Sequence, residues 1–251
     1  METIQQRKGV SQEKHHCRMD VAVRRSFSVR AFTLIELLVV ISIIGLLATL
    51  GVGLTAVASR KSKESRIKGD LNKLVTAIEN YKAGLGFYPP DNPGKPSTNQ
   101  LFYELSGTTY DQPGTRDGTF LLADGQLKIT TAGVNNLFGS RGFSNSARPG
   151  EKPKFSEEFK PSQYKELGAN QFVALIVPVK APLTFTYNGI AMKLPLTTAD
   201  KSEVNPWLYD SSSPVRNNKK GFDLWTEVII GRDVIRFSNW EKDPVVLRRA
   251  P

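Results

Sequence analysis

A single carboxylate, Glu36, interrupts an apolar run that extends from Phe32 to Ala58, and no other ionisable side chain lies within that run. Leaving an ionised carboxylate in hydrocarbon costs on the order of 3 kcal/mol even on lenient insertion scales. An acid at such a position predicts a functional group that requires a partner. The alternative is a carboxylate near a helix N-terminus that is stabilised by the helix macrodipole.

Catalytic side chains are scarce in the rest of the chain. Histidine and cysteine occur only before the apolar run, at His15, His16 and Cys17. The chain after residue 31 therefore offers no Cys nucleophile, no His general base, no Cys/His zinc site and no disulfide framework. Ser/Lys or carboxylate-pair catalysis is not excluded, but no constellation of residues indicates it. We therefore expect no enzyme activity and no cofactor.

The apolar run is long enough to span a membrane. As a helix it would measure roughly 40 Å, against a bilayer core of about 30 Å. The alternatives are a secretory signal and an ordinary signal anchor. A secretory signal is cut after its apolar core, whereas the candidate cleavage site here, Ala31–Phe32, precedes the apolar run. An anchor has no need of Glu36. Basic residues on both sides of the run leave its orientation open.

A helical pattern continues beyond the apolar run. No proline interrupts residues 32–84, and the stretch Gly84–Gly86, followed by Pro89, predicts the end of one long helix. The apolar residues that recur at three- and four-residue steps are Ile67, Leu71, Leu74, Val75, Ile78, Tyr81 and Leu85.

The remaining chain predicts two hairpins and one irregular stretch. The runs 183–187 and 190–194 flank an Asn-Gly turn, and the runs 222–230 and 233–237 flank Gly-Arg. Residues 107–160 predict an irregular, mobile insertion. The fold class predicted is α+β, with a long N-terminal helix packed against a small antiparallel sheet, and we expect the tryptophans to lie in the core behind that helix.

The residues Ala31-Phe32-Thr33-Leu34-Ile35-Glu36, after a basic leader, resemble the cleavage and methylation site of the type IV pilin superfamily. The resemblance implies that a prepilin peptidase cuts between Ala31 and Phe32 and that Phe32 becomes the methylated N-terminus. It also implies that Glu36 neutralises the terminal ammonium of a neighbouring subunit during assembly, and that the leader is cytoplasmic. Most members have Gly where this chain has Ala31, which keeps a small side chain. A start at Met19 would give a shorter leader of the usual kind.

Further motifs resemble the major pseudopilin of type II secretion, which ends its first helix in Tyr-Lys, Gly and Tyr-Pro and has a short second helix. The corresponding residues here are Tyr81-Lys82, Gly86, Tyr88-Pro89 and, for the second helix, Ser97–Leu105. Near the C-terminus, the frame of that family's calcium loop is matched by Asn205-Pro206-Trp207, Phe222-Asp223 and Asn239-Trp240.

The calcium loop itself is missing. Between Trp225 and Trp240 the only carboxylates are Glu227 and Asp233, whereas calcium takes about 6 to 8 oxygen ligands. Asp233 is therefore a weak calcium candidate. We predict no metal site and expect a direct apolar hairpin in place of the loop.

The distribution of basic residues indicates a lipid partner rather than a nucleic acid. The leader holds seven basic and three acidic residues, so its removal would lower the net charge from +10 to +6. The later basic residues are dispersed and form no nucleic-acid motif. Those that flank the apolar run are attracted to anionic lipid.

These observations predict four segments: a cytoplasmic leader at 1–31, a transmembrane and assembly helix at 32–58, an amphipathic periplasmic half of the helix at 59–86, and a globular domain at 87–251 with an insertion at about 107–160. The predicted function is a single-pass inner-membrane subunit of a type II secretion pseudopilus. The implied partners are the prepilin peptidase/methyltransferase, other pseudopilins, the inner-membrane secretion platform and membrane lipid. A type IV pilin and a membrane-anchored periplasmic binding protein are the alternatives.

Overall fold

A computed structural model describes residues 32–111, 118–122, 125, 127–168, 172–198 and 200–250, except for the side chains of residues 49–56. The chain divides into two compact units, residues 1–51 and 52–251. The predicted leader lies outside the described residues.

Three helices are present in the described chain: α1 Leu34–Leu85, α2 Leu101–Ser106 and α3 Thr131–Phe138. The predicted end of the long helix is confirmed, because Gly86 adopts φ +90° and its N–H donates to the Lys82 carbonyl at 2.7 Å. This left-handed position favours glycine, which has no Cβ to clash.

The second helix begins later than the predicted residue 97. The Thr98 N–H bonds to the Lys95 carbonyl, and the Asn99 amide donates to the carbonyls of Pro96 and Trp207. These bonds hold residues 95–99 in a turn. The prediction of a helix from Ser97 is wrong at its start, because a long-range bond to Trp207 fixes the turn.

The described residues also form fourteen strands. The first six are β1 Thr108–Tyr110, β2 Thr119–Leu122, β3 Lys128–Thr130, β4 Ser146–Ala147, β5 Tyr164–Leu167 and β6 Phe172–Val177. The other eight are β7 Thr184–Tyr187, β8 Ile190–Lys193, β9 Leu196–Thr197, β10 Glu203–Pro206, β11 Leu208–Asp210, β12 Asp223–Ile230, β13 Asp233–Ser238 and β14 Val245–Arg249. Both predicted hairpins are confirmed, as β7–β8 and β12–β13. In the first turn Asn188 and Gly189 both have positive φ, as the Asn-Gly pattern predicts.

The strands form three four-stranded sheets, in the orders β3-β2-β1-β4, β5-β6-β10-β9 and β11-β12-β13-β14, in addition to the β7–β8 hairpin. Pairing is antiparallel except between β1 and β4. The α+β class, with an N-terminal helix and antiparallel sheets, is therefore confirmed. The expected single small sheet is wrong. The described strands outside the two predicted hairpins form two further four-stranded sheets and the outer strands of the third, and they are β1–β6, β9–β11 and β14.

The main core lies along one stripe of α1. All seven predicted stripe residues are buried or packed against this core, and Ile78 and Tyr81 are completely buried. They meet Leu224, Val228 and Ile230 of β12, together with Tyr103 of α2. Burying each large apolar side chain stabilises the fold by about 1.5–3 kcal/mol. The stripe thus fixes α1 against the sheets.

The other face of β12 carries a second, smaller core. Trp225 packs there with Phe185, Leu194 and Leu208, and Trp240 lies 5.6 Å from it between ring centroids. Successive side chains of a strand point to opposite faces, which separates Trp225 from its neighbour Leu224. The expectation that the tryptophans pack behind the long helix holds for Trp207 only.

Residues 107–160 are not irregular in their described part, which corrects that prediction. They contain β1 to β4 and α3, and α3 is capped by the Thr130 hydroxyl, which accepts from the Gly133 N–H at 3.1 Å. Phe120, Phe138 and Phe143 enter the main core. The strands have two to four residues each, too few for alternation to be recognised in the sequence.

The buried carboxylate of Glu104 joins three elements. It accepts hydrogen bonds from the Tyr81 hydroxyl on α1 at 2.8 Å, and from the N–H groups of Ser144 and Asn145 at 2.8 and 3.0 Å. The Asn145 amide donates in turn to the carbonyls of Glu104 and Phe155. Burial raises the pKa of the Glu104 carboxyl, and the three donors oppose that shift. This network fixes α1, α2 and the 107–160 segment together.

Glu104→Gln should lower the free energy of unfolding by about 2–4 kcal/mol, because an amide NH₂ would face a buried donor and leave it unpaired. Tyr81→Phe, which removes one hydroxyl, should cost only about 1 kcal/mol. Urea unfolding of the full chain in detergent measures both, with the exposed Glu158→Gln as the control. Equal effects of the two core variants would contradict the network.

The same carboxyl gives a pH dependence of known sign. Because its folded pKa lies above the ordinary value of 4.5, the folded state holds this proton to higher pH than the unfolded state. The contribution of Glu104 to stability is therefore complete below pH 4.5 and is lost as the pH rises through the folded pKa. The difference in unfolding free energy between Glu104→Gln and the parent should therefore be constant below pH 4.5. It should change as the pH rises from 4.5 through the folded pKa of Glu104, where the stabilising contribution of the parent's carboxyl is lost.

Candidate processing and assembly site

The first turns of α1 present apolar side chains to the outside. The large apolar residues from Phe32 to Leu47 are between 45% and 81% exposed, and Phe32 and Leu34 are the most exposed of them. An apolar surface of this extent on a soluble protein marks a membrane or protein contact. Among the described residues, however, no helix combines the length and the apolar content required of a membrane span.

Glu36 and Thr33 form a reciprocal cap at the start of α1. The Glu36 N–H donates to the Thr33 hydroxyl oxygen at 3.3 Å, and Glu36 Oε2 accepts from the Thr33 N–H and hydroxyl, both at 2.9 Å. This is the capping box, in which the residue before a helix and the third helical residue satisfy each other's N–H groups. It fixes where the helix begins.

The cap leaves part of the carboxylate available. Both bonds from Thr33 go to Oε2 of Glu36, so Oε1 takes neither of them. The side chain of Glu36 is exposed. A positively charged donor, such as an ammonium, could bind there without breaking the cap. Stabilisation at a helix N-terminus, the alternative considered for Glu36, is thus part of its role.

Only half of the predicted cleavage bond is described. Phe32 precedes the helix and is 81% exposed, whereas Ala31 lies outside the described residues. Cleavage after Ala31, methylation of Phe32 and the assembly role of Glu36 stay predictions. The hydroxyl of Thr33 was not predicted as a functional group, although the spacing Thr-x-x-Glu is a recognisable capping signal.

The weak calcium candidate Asp233 is engaged by a cation. Its Oδ2 accepts from Arg60 Nη1 at 3.0 Å, and Arg60 also binds Glu64. Glu227 lies on the neighbouring strand, where burial raises the pKa of its carboxyl. In the described part of the chain, no three acidic, cysteine or histidine side chains come together as a metal site. The β12–β13 hairpin turns directly at Gly231, which removes the space for a loop.

The C-terminal frame residues do meet in space. Asn239 accepts from the Leu224 N–H and donates to the Phe222 carbonyl, both at 2.9 Å. Asn205 donates to the Glu227 carbonyl at 2.9 Å. Asp223 accepts from the N–H groups of Asn217 and Asn218 and so stabilises the turn before β12. The asparagine side chains of the frame thus bind the backbone of β12 and of the residue before it, and we call these hydrogen bonds the C-terminal clamps.

Thr33→Ala should fray the first turn of α1, because the Glu36 N–H loses its acceptor at a cost of about 1 kcal/mol. Thr33→Ser keeps a hydroxyl and should behave as the parent does. Hydrogen exchange at the amides of residues 34–37 in the detergent-solubilised full chain measures this, with roughly fivefold faster exchange expected for the alanine variant. Identical exchange in the two variants would show that the hydroxyl has no part in the cap.

Comparison with known proteins supports the N-terminal assignment. The family described as "Prokaryotic N-terminal methylation motif" matches residues 27–52, which include Phe32, Thr33 and Glu36. Searches of curated proteins and of solved structures gave no match. The match covers the start of the chain only, and the described part of the globular domain has no counterpart among them. The chain therefore carries a prepilin-type N-terminal methylation motif, which supports its placement among type IV pilin-like proteins.

Proposed function

We propose that the chain is a pilin-like structural subunit of a type II secretion pseudopilus, processed by a prepilin peptidase and without catalytic activity. The methylation motif at residues 27–52 is the observation that carries this proposal. In that motif the cut between Ala31 and Phe32 would place a new N-terminal ammonium four residues before Glu36. The leader would be removed in the cytoplasm and the globular domain would lie in the periplasm.

The exposed apolar part of α1 supports an anchored state before assembly. Side chains such as Leu34, Ile41 and Leu47 find no cover within their own unit. Their transfer from water into hydrocarbon, or against the helices of other subunits, is favourable at about 25 cal/mol per Å². The same helix can therefore pass from the inner membrane to the centre of a fibre, since both environments are apolar.

The Glu36 carboxylate supplies the specificity of assembly. In an apolar fibre centre an unpaired carboxylate is costly, and an opposite charge from a neighbouring subunit removes that cost. The ammonium of Phe32 in a second subunit is such a charge. Pairing it with Oε1 of Glu36 sets the axial register between subunits, because only one offset brings the two groups together.

The C-terminal clamps favour a pseudopilin over a type IV pilin. The Asn-Pro-Trp, Phe-Asp and Asn-Trp elements resemble the frame of the major pseudopilin, and Asn205 and Asn239 both form hydrogen bonds with the backbone of β12. Paired C-terminal cysteines, which are usual in type IV pilins, do not occur in this sequence. A membrane-anchored binding protein would account for the domain but has no need of Glu36.

Mass spectrometry of the N-terminal peptide, from protein purified from its native membrane, tests the processing. We expect methylated Phe32 as the first residue. Cys17 precedes the cut, so the mature chain should also fail to react with a maleimide. An intact leader, or a cut after Ala58, would contradict the proposal.

Glu36→Gln separates assembly from capping. Glutamine can still complete a capping box but carries no charge, so α1 should keep its first turn while cross-linked multimers in the membrane fall by roughly a hundredfold or more. Thr33→Ala weakens the cap and keeps the charge, and should still form multimers. Parent-like multimers of Glu36→Gln would show that the charge is not used in assembly.

A further inference from the structure

One end of the globular unit collects basic side chains from elements that are far apart in the chain. Arg232 lies in the β12–β13 turn, and β14 returns to that turn because Arg249 is the register partner of Asp233. The Ala250 N–H donates to the Arg232 carbonyl at 2.8 Å. Arg232 and Arg249 are both exposed and therefore lie side by side at this end of the sheet.

The helix α1 reaches the same end. Arg60 binds Asp233 at 3.0 Å, and the next residue, Lys61, is exposed. Arg60 comes only two residues after Ala58, where the apolar run stops, a distance of about 3 Å along a helix axis. The β12–β13 turn is therefore held next to the end of the apolar run.

The hairpin β7–β8 adds a third contribution. Its open end, where Thr184 pairs with Lys193, contacts β14 because Arg248 Nη2 donates to the Thr184 carbonyl at 2.9 Å. Leu183, which precedes this contact, is a large apolar side chain that is 66% exposed. An exposed leucine among arginines and lysines is typical of a surface that contacts a lipid interface.

We call this surface the basic end, and it consists of Arg60, Lys61, Lys180, Lys193, Arg232, Arg248 and Arg249 together with Leu183. Lys180 belongs to it because its carbonyl accepts from the Ile229 N–H at 2.7 Å. Four acidic side chains lie among these residues. Glu64 and Asp233 are both paired with Arg60, Glu203 lines a cavity with Lys180, and Glu227 interacts electrostatically with Arg248. The basic end is thus clearly positive.

Edge protection explains only part of this charge. Cations on edge strands, such as β14 and the two strands of the β7–β8 hairpin, discourage pairing with another chain, which accounts for Lys193, Arg248 and Arg249. Edge protection does not account for Arg232, which lies in a turn, or for the exposed Leu183.

We propose that the basic end is a docking surface for an anionic lipid bilayer, with Leu183 at the level of the headgroups. The inference rests on the membrane anchoring in the proposed function and goes beyond it, since the folded domain itself contacts the lipid. Each cation near an anionic membrane surface strengthens the contact about fivefold. Apposition would hold the unassembled subunit in one orientation at the bilayer.

The test uses the full chain with Cys17→Ser and a single labelling site, reconstituted in vesicles of phosphatidylcholine with or without phosphatidylglycerol. A fluorophore on Leu183→Cys should be quenched by a lipid-attached quencher more strongly in the anionic vesicles, and high salt should abolish the difference. The control label on Val215→Cys, at the opposite end of β12, should show no dependence on lipid charge. Equal quenching at position 183 in both kinds of vesicle would overturn the proposal.

A charge variant sharpens the test. A triple variant should reduce the ratio of membrane-bound to unbound globular domain by roughly a hundredfold, at about fivefold per charge removed. Its substitutions are Lys193→Gln, Arg232→Gln and Arg249→Gln. The matched control removes three exposed cations elsewhere, through Arg141→Gln, Arg148→Gln and Lys219→Gln, and should behave as the parent does. Equal loss in both triple variants would show that total charge, and not the basic end, is responsible.

The outcomes separate this inference from the function on which it rests. A chain that does not float with vesicles of either composition would contradict the membrane anchoring itself, and the basic end with it. A chain that floats, but whose label at position 183 ignores lipid charge, would contradict the basic end alone. Processing at Phe32 is measured independently and is affected by neither result.

Discussion

The buried carboxylate of Glu104 is the constraint on which the globular unit depends. Taking an ionised group out of water costs several kcal/mol, and the donors around Glu104 offset only part of that cost, because burial still raises the pKa of its carboxyl. Here the donors come from α1 and from the 107–160 segment, at 2.8 to 3.0 Å. The helix, the short α2 and that segment must therefore occupy their positions together. Hydrophobic burial drives them into contact, but the carboxylate specifies one arrangement.

Glu36 is the opposite case. Its carboxylate is exposed, and its partners on the same chain come from Thr33. Glu104 is hydrogen-bonded inside the fold and specifies one arrangement, whereas Glu36 caps the start of a helix and stays exposed. The contrast indicates why one carboxylate belongs to the core and the other suits the assembly role that we propose for it. Environment, rather than residue type, separates the two roles.

The third sheet shows how one strand serves two cores. The alternating side chains of β12 give Leu224 and Val228 to the α1 side and Trp225 to the hairpin side. Because β7–β8 packs over that second face, the hairpin's open end meets β14 and brings Lys193 next to Arg248. The basic end is thus a product of the same packing that buries Trp225. It includes Arg232, which lies in the tight turn after Gly231.

The sequence alone determined the local features of this protein. The apolar run with Glu36, the stripe from Ile67 to Leu85, the helix stop at Gly86 and the Asn188–Gly189 turn all depend on neighbours within a few residues. The stripe, the helix stop and the turn were predicted from a short period or a turn residue, and the structure agrees. The methylation motif is local in the same way, and its match to residues 27–52 is independent of the fold.

Only the tertiary structure decided the rest. The regular structure in the described part of residues 107–160 arises because Phe120, Phe138 and Phe143 reach a core built by distant elements. The late start of α2 depends on a bond from Asn99 to Trp207, and the burial of Glu104 depends on Asn145. Strands of two to four residues carry too little periodicity to be recognised, and a charge surface assembled from residues 60, 193, 232 and 249 has no period at all. These features depend on contacts between residues far apart in the chain, which a reading of local pattern does not contain.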